Sequence, residues 1–304
     1  MRQSPESLVI RPPSEWRSML VRVTRGCPWN RCRFCGLYPS LGQASYSARP
    51  VAEVLDDIEL LRQRVPCITT AFLGDADPLA VPVHDIETIC GRLRRDFPRL
   101  ERITAYARIS TLYTKKAAGI RLLAGAGIGR VHAGLESGDR EVLAFHKKGL
   151  SPEILVEVAG WLRDAGIELS LYVLLGLGGA DGWQRHIDGT ADALNRARPD
   201  FIRVRRLWIY AAGENGVECP LNSEVRAGTF LPQTPEGTVI ELRRLLGGLY
   251  GFDCRFTCDH ANNHVQVEGS LPQDRARMLG EIDAFLALPP HERQQRYAAR
   301  AGTI

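Results

Sequence analysis

The chain lacks any apolar run approaching the roughly 18 residues of a membrane-spanning helix, so none is expected. The stretch Met1–Arg11 has no apolar core and carries Pro5 and Glu6, which argues against a secretory signal. A cytoplasmic location is the expectation, and there thiols stay reduced. There is no long Lys/Arg block either. Against 24% charged residues the formal net charge is only +4, so neither nucleic acid nor an anionic membrane is an expected partner. The densest basic stretch, Arg203, Arg205 and Arg206, alternates with Val204 and Leu207. It reads as a strand with one solvated or site-facing edge. Neither a dinucleotide glycine fingerprint nor a Gly-x4-Gly-Lys-Ser loop follows any predicted strand, which argues against a doubly wound nucleotide fold.

What is present is strand followed by helix, repeated. Predicted strands are Leu20–Thr24, Ile68–Leu73, Ile103–Ala107, Arg130–Gly134, Ile167–Leu175 and Phe201–Trp208. Between them lie helical patterns over Val51–Val65, Val83–Asp96, Lys115–Ala126, Pro152–Ala165 and Trp183–Ala197. Ser151 is placed to cap the fourth of these helices and Gly166 to stop it. Six such units imply a parallel sheet covered by helices. A closed eight-fold barrel takes about 250 residues, so the expected fold class is α/β, a partial (β/α)6 barrel of TIM type with its site at the C-terminal strand ends. The pattern changes after Ala211. Residues 1–211 are read as the barrel and 212–304 as a small α+β cap. The cap comprises a helix over Glu236–Leu249, an irregular stretch Cys254–Asn263, a short strand near Val265–Val267 and a helix over Pro272–Ala287.

Of the eight cysteines, Cys27, Cys32 and Cys35 share one loop, Arg25-Gly26-Cys27-Pro28-Trp29-Asn30-Arg31-Cys32-Arg33-Phe34-Cys35, directly after the first strand. Three thiolates in C-x4-C-x2-C spacing on a polar loop can converge on one metal centre. Arg25, Arg31 and Arg33 are expected to lower the thiol pKa values and offset the charge of a thiolate-ligated cluster. A zinc site would want a fourth nearby Cys or His. A ferredoxin-type cluster would want a distant fourth cysteine, for which Cys67 is the candidate. Three ligands without a fourth leave one iron open to substrate.

These residues, together with Gly74-Asp75-Ala76-Asp77-Pro78 and Gly134-Leu135-Glu136-Ser137-Gly138 at later strand ends, resemble the radical S-adenosylmethionine superfamily. The likeness covers about residues 18–210. The family's usual spacing is C-x3-C-x2-C, and this chain has one residue more. The resemblance implies a [4Fe–4S] cluster on Cys27, Cys32 and Cys35, with Phe34 lining the adenine of S-adenosylmethionine. It implies that Asp77, with the backbone around Gly74 and Asp75, holds the methionine amino group. Arg108 would face the methionine carboxylate. Glu136 or Ser137 would contact the ribose or the amino-acid part, and Gly176 would bring its backbone to the adenine. It further implies reductive cleavage of S-adenosylmethionine, a 5′-deoxyadenosyl radical that takes hydrogen from a substrate, and a flavodoxin or ferredoxin as electron donor. Within the superfamily, His146-Lys147-Lys148-Gly149 and Asp259-His260-Ala261-Asn262-Asn263 are similar to a subgroup with no assigned substrate.

In the tail, His260 and Asn263 stand in a polar knot, Asp259–His264, as substrate-site candidates. Cys219, Cys254 and Cys258 are read as buried thiols, with an auxiliary cluster as the alternative. Tyr106, His132 and Tyr172 lie on strands whose register the sequence leaves open. Two other readings of function remain: a cluster-binding carrier, like the haem chaperone related to coproporphyrinogen dehydrogenase, and an iron–sulfur electron carrier.

Overall fold

The structure is a computed structural model that describes residues 4–7, 10–65, 67–212 and 216–299. Part of the Met1–Arg11 stretch and the far end of the tail lie outside the described residues.

One sheet organises the chain. Its strands are β1 (Met19–Arg22), β2 (Thr70–Gly74), β3 (Arg102–Tyr106), β4 (Ile128–Glu136), β5 (Glu168–Leu175), β6 (Phe201–Arg206), β7 (Cys254–Cys258) and β8 (Val267–Leu271). They stand side by side in chain order. Every neighbouring pair from β1 to β7 is parallel, and only β7 and β8 are antiparallel. The crossover helices are α1 (Val51–Arg64), α2 (Val83–Asp96), α3 (Ile109–Ala126), α4 (Pro152–Asp164) and α5 (Gly179–Ala197). The tail adds α6 (Pro235–Gly248), α7 (Arg275–Leu286) and α8 (Pro290–Ala299).

Period-two alternation sorts the strands' side chains onto two faces. Val21, Leu73, Ala105, Val131, Leu171, Val173, Ile202 and Val204 are buried in one continuous core with Ile58, Ile89, Leu123, Leu155 and Leu194 of the helices. Each such aliphatic side chain contributes roughly 1.5–3 kcal/mol on burial. The opposite face is polar and aromatic. Register places Tyr106 beside His132, Tyr172 beside Arg203, and Arg205 one step nearer the C-terminal rim. Phe72, Tyr106, His132 and Tyr172 meet across it, with centroids 5.0 Å apart for Phe72–Tyr106 and 6.2 Å for Tyr106–His132. Glu15, on a turn before β1, is buried beneath this face, with Oε1 2.9 Å from His132 Nε2.

The predicted caps are formed: Ser151 Oγ accepts from Ile154 N at 3.4 Å, and Gly166 has φ +73°. Helix α3 starts six residues before the expected Lys115 and is broken at Lys116 (φ 59°), so the sequence pattern marked only its second half. The tail differs more. Cys254–Cys258, read as irregular, is a strand in which Cys254 and Phe256 are buried around exposed Arg255. It joins β6 and extends the same sheet, so the tail's strands continue the barrel wall.

Candidate cluster and cofactor site

The cysteine loop leaves β1 at its C-terminal end. A two-residue ribbon, Thr24–Arg25 with Ser47–Ala48, brackets it. Gly26 makes this turn possible. Its φ is +66°, and a Cβ there would lie 2.5 Å from Ser45 O. The loop docks on the segment after β4. Arg33 N donates to His146 O (3.0 Å), Arg33 Nη1 to Phe145 O (2.6 Å) and Trp29 Nε1 to Lys147 O (2.7 Å). Trp29 lies so close over Gly149 that a Cβ there would meet its ring at 2.6 Å.

Cys27, Cys32 and Cys35 are free and half-buried, and their charges act on one another. Burial pushes the Cys32 thiol up and the Cys35 thiol up to about 11. The cations opposing this are Lys148 and Arg108 at Cys32, and Lys148 at Cys35. The loop's own arginines, expected to do so, are engaged elsewhere. Arg25 pairs with Glu6 (2.7 Å), Arg33 pairs with Glu224 (3.1 Å), and Arg31 stacks on Trp29. Alternation of charge along a loop did not predict which charge faces the thiols. Among the described residues no three His, Cys, Asp or Glu side chains meet closely enough for a single ion. A multi-iron cluster instead takes one thiolate at each of several irons. Three mutually interacting thiols with two cations beside them fit such an anionic group. Cys67 cannot join them, because it precedes β2 at the sheet's N-terminal edge and is exposed.

Lys148 is the residue the sequence reading missed. Its Nζ is 2.8 Å from Glu136 Oε1 and 5.7 Å from the Phe34 ring centre. Burial favours the neutral amine, but Glu136 and Cys32 outweigh it and hold the ammonium above its ordinary range. Glu136 sits at φ 67°, after a register shift that ends β4. Gly134 leaves room for the pair; a Cβ there would meet Glu136 Oε1 at 1.9 Å. Arg108 stacks over Trp29 at 4.6 Å and donates to Lys148 O at 3.3 Å. Phe34, Arg108, Glu136 and Lys148 are thus brought to the cysteines.

The remaining expected cofactor residues are occupied by the chain itself. Asp77 is fully buried. Its Oδ2 accepts from Thr111 Oγ1 (2.6 Å) and its Oδ1 from Arg108 N (3.3 Å), so it ties down the start of α3, while burial raises its pKa to about 6. Asp75, next to Gly74, forms a buried ion pair with Arg22 at 2.6 Å. Ser137 Oγ lies 2.8 Å from His186 Nδ1 and accepts from Asp139 N. Gly176 (φ +83°) donates its N–H to Glu241 Oε2 of α6 at 2.5 Å, and its carbonyl accepts from Gly179 N. Burial lifts the Glu241 carboxyl to about 7.

The polar knot lies past the C-terminal end of β7. Asn263 Nδ2 donates to Val204 O and Asn262 Nδ2 to Arg206 O, both at 2.9 Å, which fastens the hairpin to β6. His260 pairs with Asn262 and is half-buried. Cys219 lies against Arg33 O at 3.6 Å in a small core with Leu221 and Phe230 that covers the cysteine loop. Cys254 and Cys258 are buried in the main core. A cavity of about 180 Å³ beside Arg163 and Asp200, and a cleft of about 700 Å³ beside His264 and Phe285, do not touch the cysteine loop.

The model of the radical SAM superfamily matches residues 21–187. A Pyrococcus horikoshii protein described as an uncharacterized methyltransferase is 23% identical over 205 residues, 64% of this chain and 42% of that protein. The chain therefore spans less than half the length of this curated relative. Among solved structures, coproporphyrinogen III oxidase HemN from Escherichia coli, a radical SAM enzyme, superposes with a TM-score of 0.56. Identity is 13%, over 76% of this chain and 51% of that one. The radical S-adenosylmethionine methyltransferase TsrM from Kitasatospora setae, with cobalamin and a [4Fe–4S] cluster bound, gives 0.51 at 21% identity over 62% and 36%.

Proposed function

The chain belongs to the radical SAM superfamily, and from that premise we propose that it is an enzyme cleaving S-adenosylmethionine reductively on a cluster held by Cys27, Cys32 and Cys35. The family's cofactors are a [4Fe–4S] cluster and S-adenosylmethionine. Bound together they supply one-electron cleavage of the sulfonium and abstraction of a hydrogen atom from substrate. The observation that carries the reading is the convergence of three half-buried thiols with the Lys148–Glu136 pair at the C-terminal rim of the sheet.

In this reading each side chain has a distinct task. The three thiolates ligate, and Lys148 and Arg108 offset their charge. Lys148 and Arg108 would also meet the methionine carboxylate, and Glu136 the amino group or a ribose hydroxyl. Phe34 offers its face to the adenine. Asp77 acts as a positioning residue, because it holds Arg108 and α3. For Asp77 to bind the amino group directly, it would have to exchange one of its two bonds. Gly74, Asp75, Ser137 and Gly176 shape the strand ends around the cofactor. The residues around Cys219 and Phe230 keep water from the loop. A small one-electron donor such as flavodoxin or ferredoxin would serve as reductant. No described helix is long and apolar enough to cross a membrane.

Anaerobically reconstituted protein with dithionite should release 5′-deoxyadenosine from S-adenosylmethionine. A carrier would bind both cofactors and release none, and an electron carrier would cycle without consuming S-adenosylmethionine. Methyl transfer, the activity named for the Pyrococcus relative and for TsrM, would be recognised by S-adenosylhomocysteine as a product. Absence of both nucleosides with a full cluster would defeat the enzymatic reading.

A further inference from the structure

The polar face of the sheet carries two arginines that form no ion pair among the described residues; the carboxylates whose charges reach Tyr172 beside them are Glu15, bonded to His132, and Asp259. Arg203 and Arg205 stand at alternate positions of β6 and therefore project to the same side, away from buried Ile202 and Val204. Arg203 Nε donates to Ser170 Oγ at 3.0 Å. Arg205 lies over the Tyr172 ring, 5.0 Å from its centre, and its charge also acts on Tyr106 of β3. Among the described residues neither guanidinium has a carboxylate in ion-pair range. Three other arginines at the rim do: Arg22 with Asp75, Arg25 with Glu6, Arg33 with Glu224. Beside these two guanidiniums are two buried polar atoms without a hydrogen-bond partner, Tyr172 Oη and His132 Nδ1. The two rings are 6.5 Å apart. A buried hydroxyl left unbonded is costly, so such a pair of atoms points to a missing partner. Two like charges on one strand face repel each other until an anion sits between them.

We propose that Arg203, Arg205 and the Tyr172 hydroxyl form an anion-binding subsite for the substrate, a small molecule bearing a carboxylate or phosphate. Guanidinium forks match the planar geometry of either group. Beside them the partly exposed rings of Tyr106 and Tyr172 offer apolar surface to an unsaturated or apolar body. Arg205 lies one step below the C-terminal rim, so an anion held there leaves the rest of the molecule pointing to the mouth, where the cysteines lie. Only this last step rests on the radical SAM reading; the anion site stands on the lumen residues themselves.

The test is calorimetric titration of anaerobically reconstituted protein, with S-adenosylmethionine present, using benzoate, phenyl phosphate and neutral benzamide. At least one anion should bind at least tenfold more tightly than benzamide, and which one does so distinguishes carboxylate from phosphate. Arg203→Gln and Arg205→Gln should each weaken that anion at least tenfold, with iron content and S-adenosylmethionine affinity unchanged. If neither anion outbinds benzamide, or both variants bind it as the parent does, the proposal fails. It also fails if S-adenosylmethionine affinity falls in step, because the anion is then the methionine carboxylate. Should the arginine variants not fold, Tyr172→Phe removes only the hydroxyl and must still weaken the anion at least threefold, and an unchanged affinity there overturns the subsite. Loss of iron binding in the parent protein would instead count against the cluster assignment.

Discussion

Lys148 Nζ lies 2.8 Å from Glu136 Oε1, and the pair is 15% and 11% exposed beside Cys32 and Phe34. The two residues come from opposite sides of a short helix, Arg140–Phe145. Glu136 turns toward Lys148 because the strand ends in a left-handed residue, and Gly134 offers no side chain to block it.

Replacing Lys148 with Met should leave Glu136 charged and unpaired. Breaking a deeply buried pair costs about 3–5 kcal/mol, and this partly wetted one should lie at or below the low end. S-adenosylmethionine affinity should fall at least tenfold, with iron content retained. Measured affinity equal to the parent's would remove Lys148 from the cofactor site.

Cys32→Ala should abolish the brown chromophore and the binding of about four irons per chain. Iron analysis and absorbance after anaerobic reconstitution decide it; full iron in that variant is incompatible with the ligand set.

Asp77→Ala should destabilise the fold by about 1–3 kcal/mol, because Thr111 and the Arg108 N–H lose a buried acceptor. Iron content should stay the same. S-adenosylmethionine should bind more weakly, and restoring the acceptor with Asp77→Asn should recover most of that loss. Failure of Asn to restore binding would give Asp77 a direct charged contact instead.

Acid should weaken the protein through His186. Burial lowers its pKa from 6.5 to about 4, so the native ring stays neutral, accepting at Nδ1 from Ser137 and donating at Nε2 to Leu174 O. The unfolded chain binds that proton first as pH falls below 6.5. The stabilisation is therefore full above pH 6.5 and lost progressively down to about pH 4, on the order of 3 kcal/mol in all. Buried His146, likewise lowered to about 4, adds to the same slope; urea denaturation at several pH values should show it, and His186→Asn should reduce it without abolishing it.

In the tail knot, Asn263→Ala should cost about 1–3 kcal/mol, because Val204 O loses its partner in a buried place. Half-buried His260→Ala should cost under about 1 kcal/mol, since water can replace its bond to Asn262. Thermal melts of the two variants compare them directly. Equal losses would mean that His260 is as structural as Asn263.

The sequence by itself determined the alternation of strands and helices, and with it the parallel sheet, because periodicities of two and 3.6 are local properties. It also determined the three thiols, which lie within nine residues of one another on one loop. Tertiary structure decided which charges face them. Arg25, Arg31 and Arg33 are nearest along the chain, yet docking of residues 145–149 on the loop brings Lys148, and the start of α3 brings Arg108. The same applies to the strand ends. Asp75, Asp77 and Ser137 stand where a cofactor contact is expected, but Arg22, Thr111 and His186 arrive from distant segments and take up their hydrogen-bonding atoms. Strand β7 was missed because its hydrophobic alternation is only five residues long and contains two cysteines. Its pairing with β6 supplies the hydrogen bonds that fix it as a strand. The inward register of Tyr106, His132 and Tyr172 was likewise settled only when neighbouring strands paired, since a shift of one residue would have turned all three toward the helices.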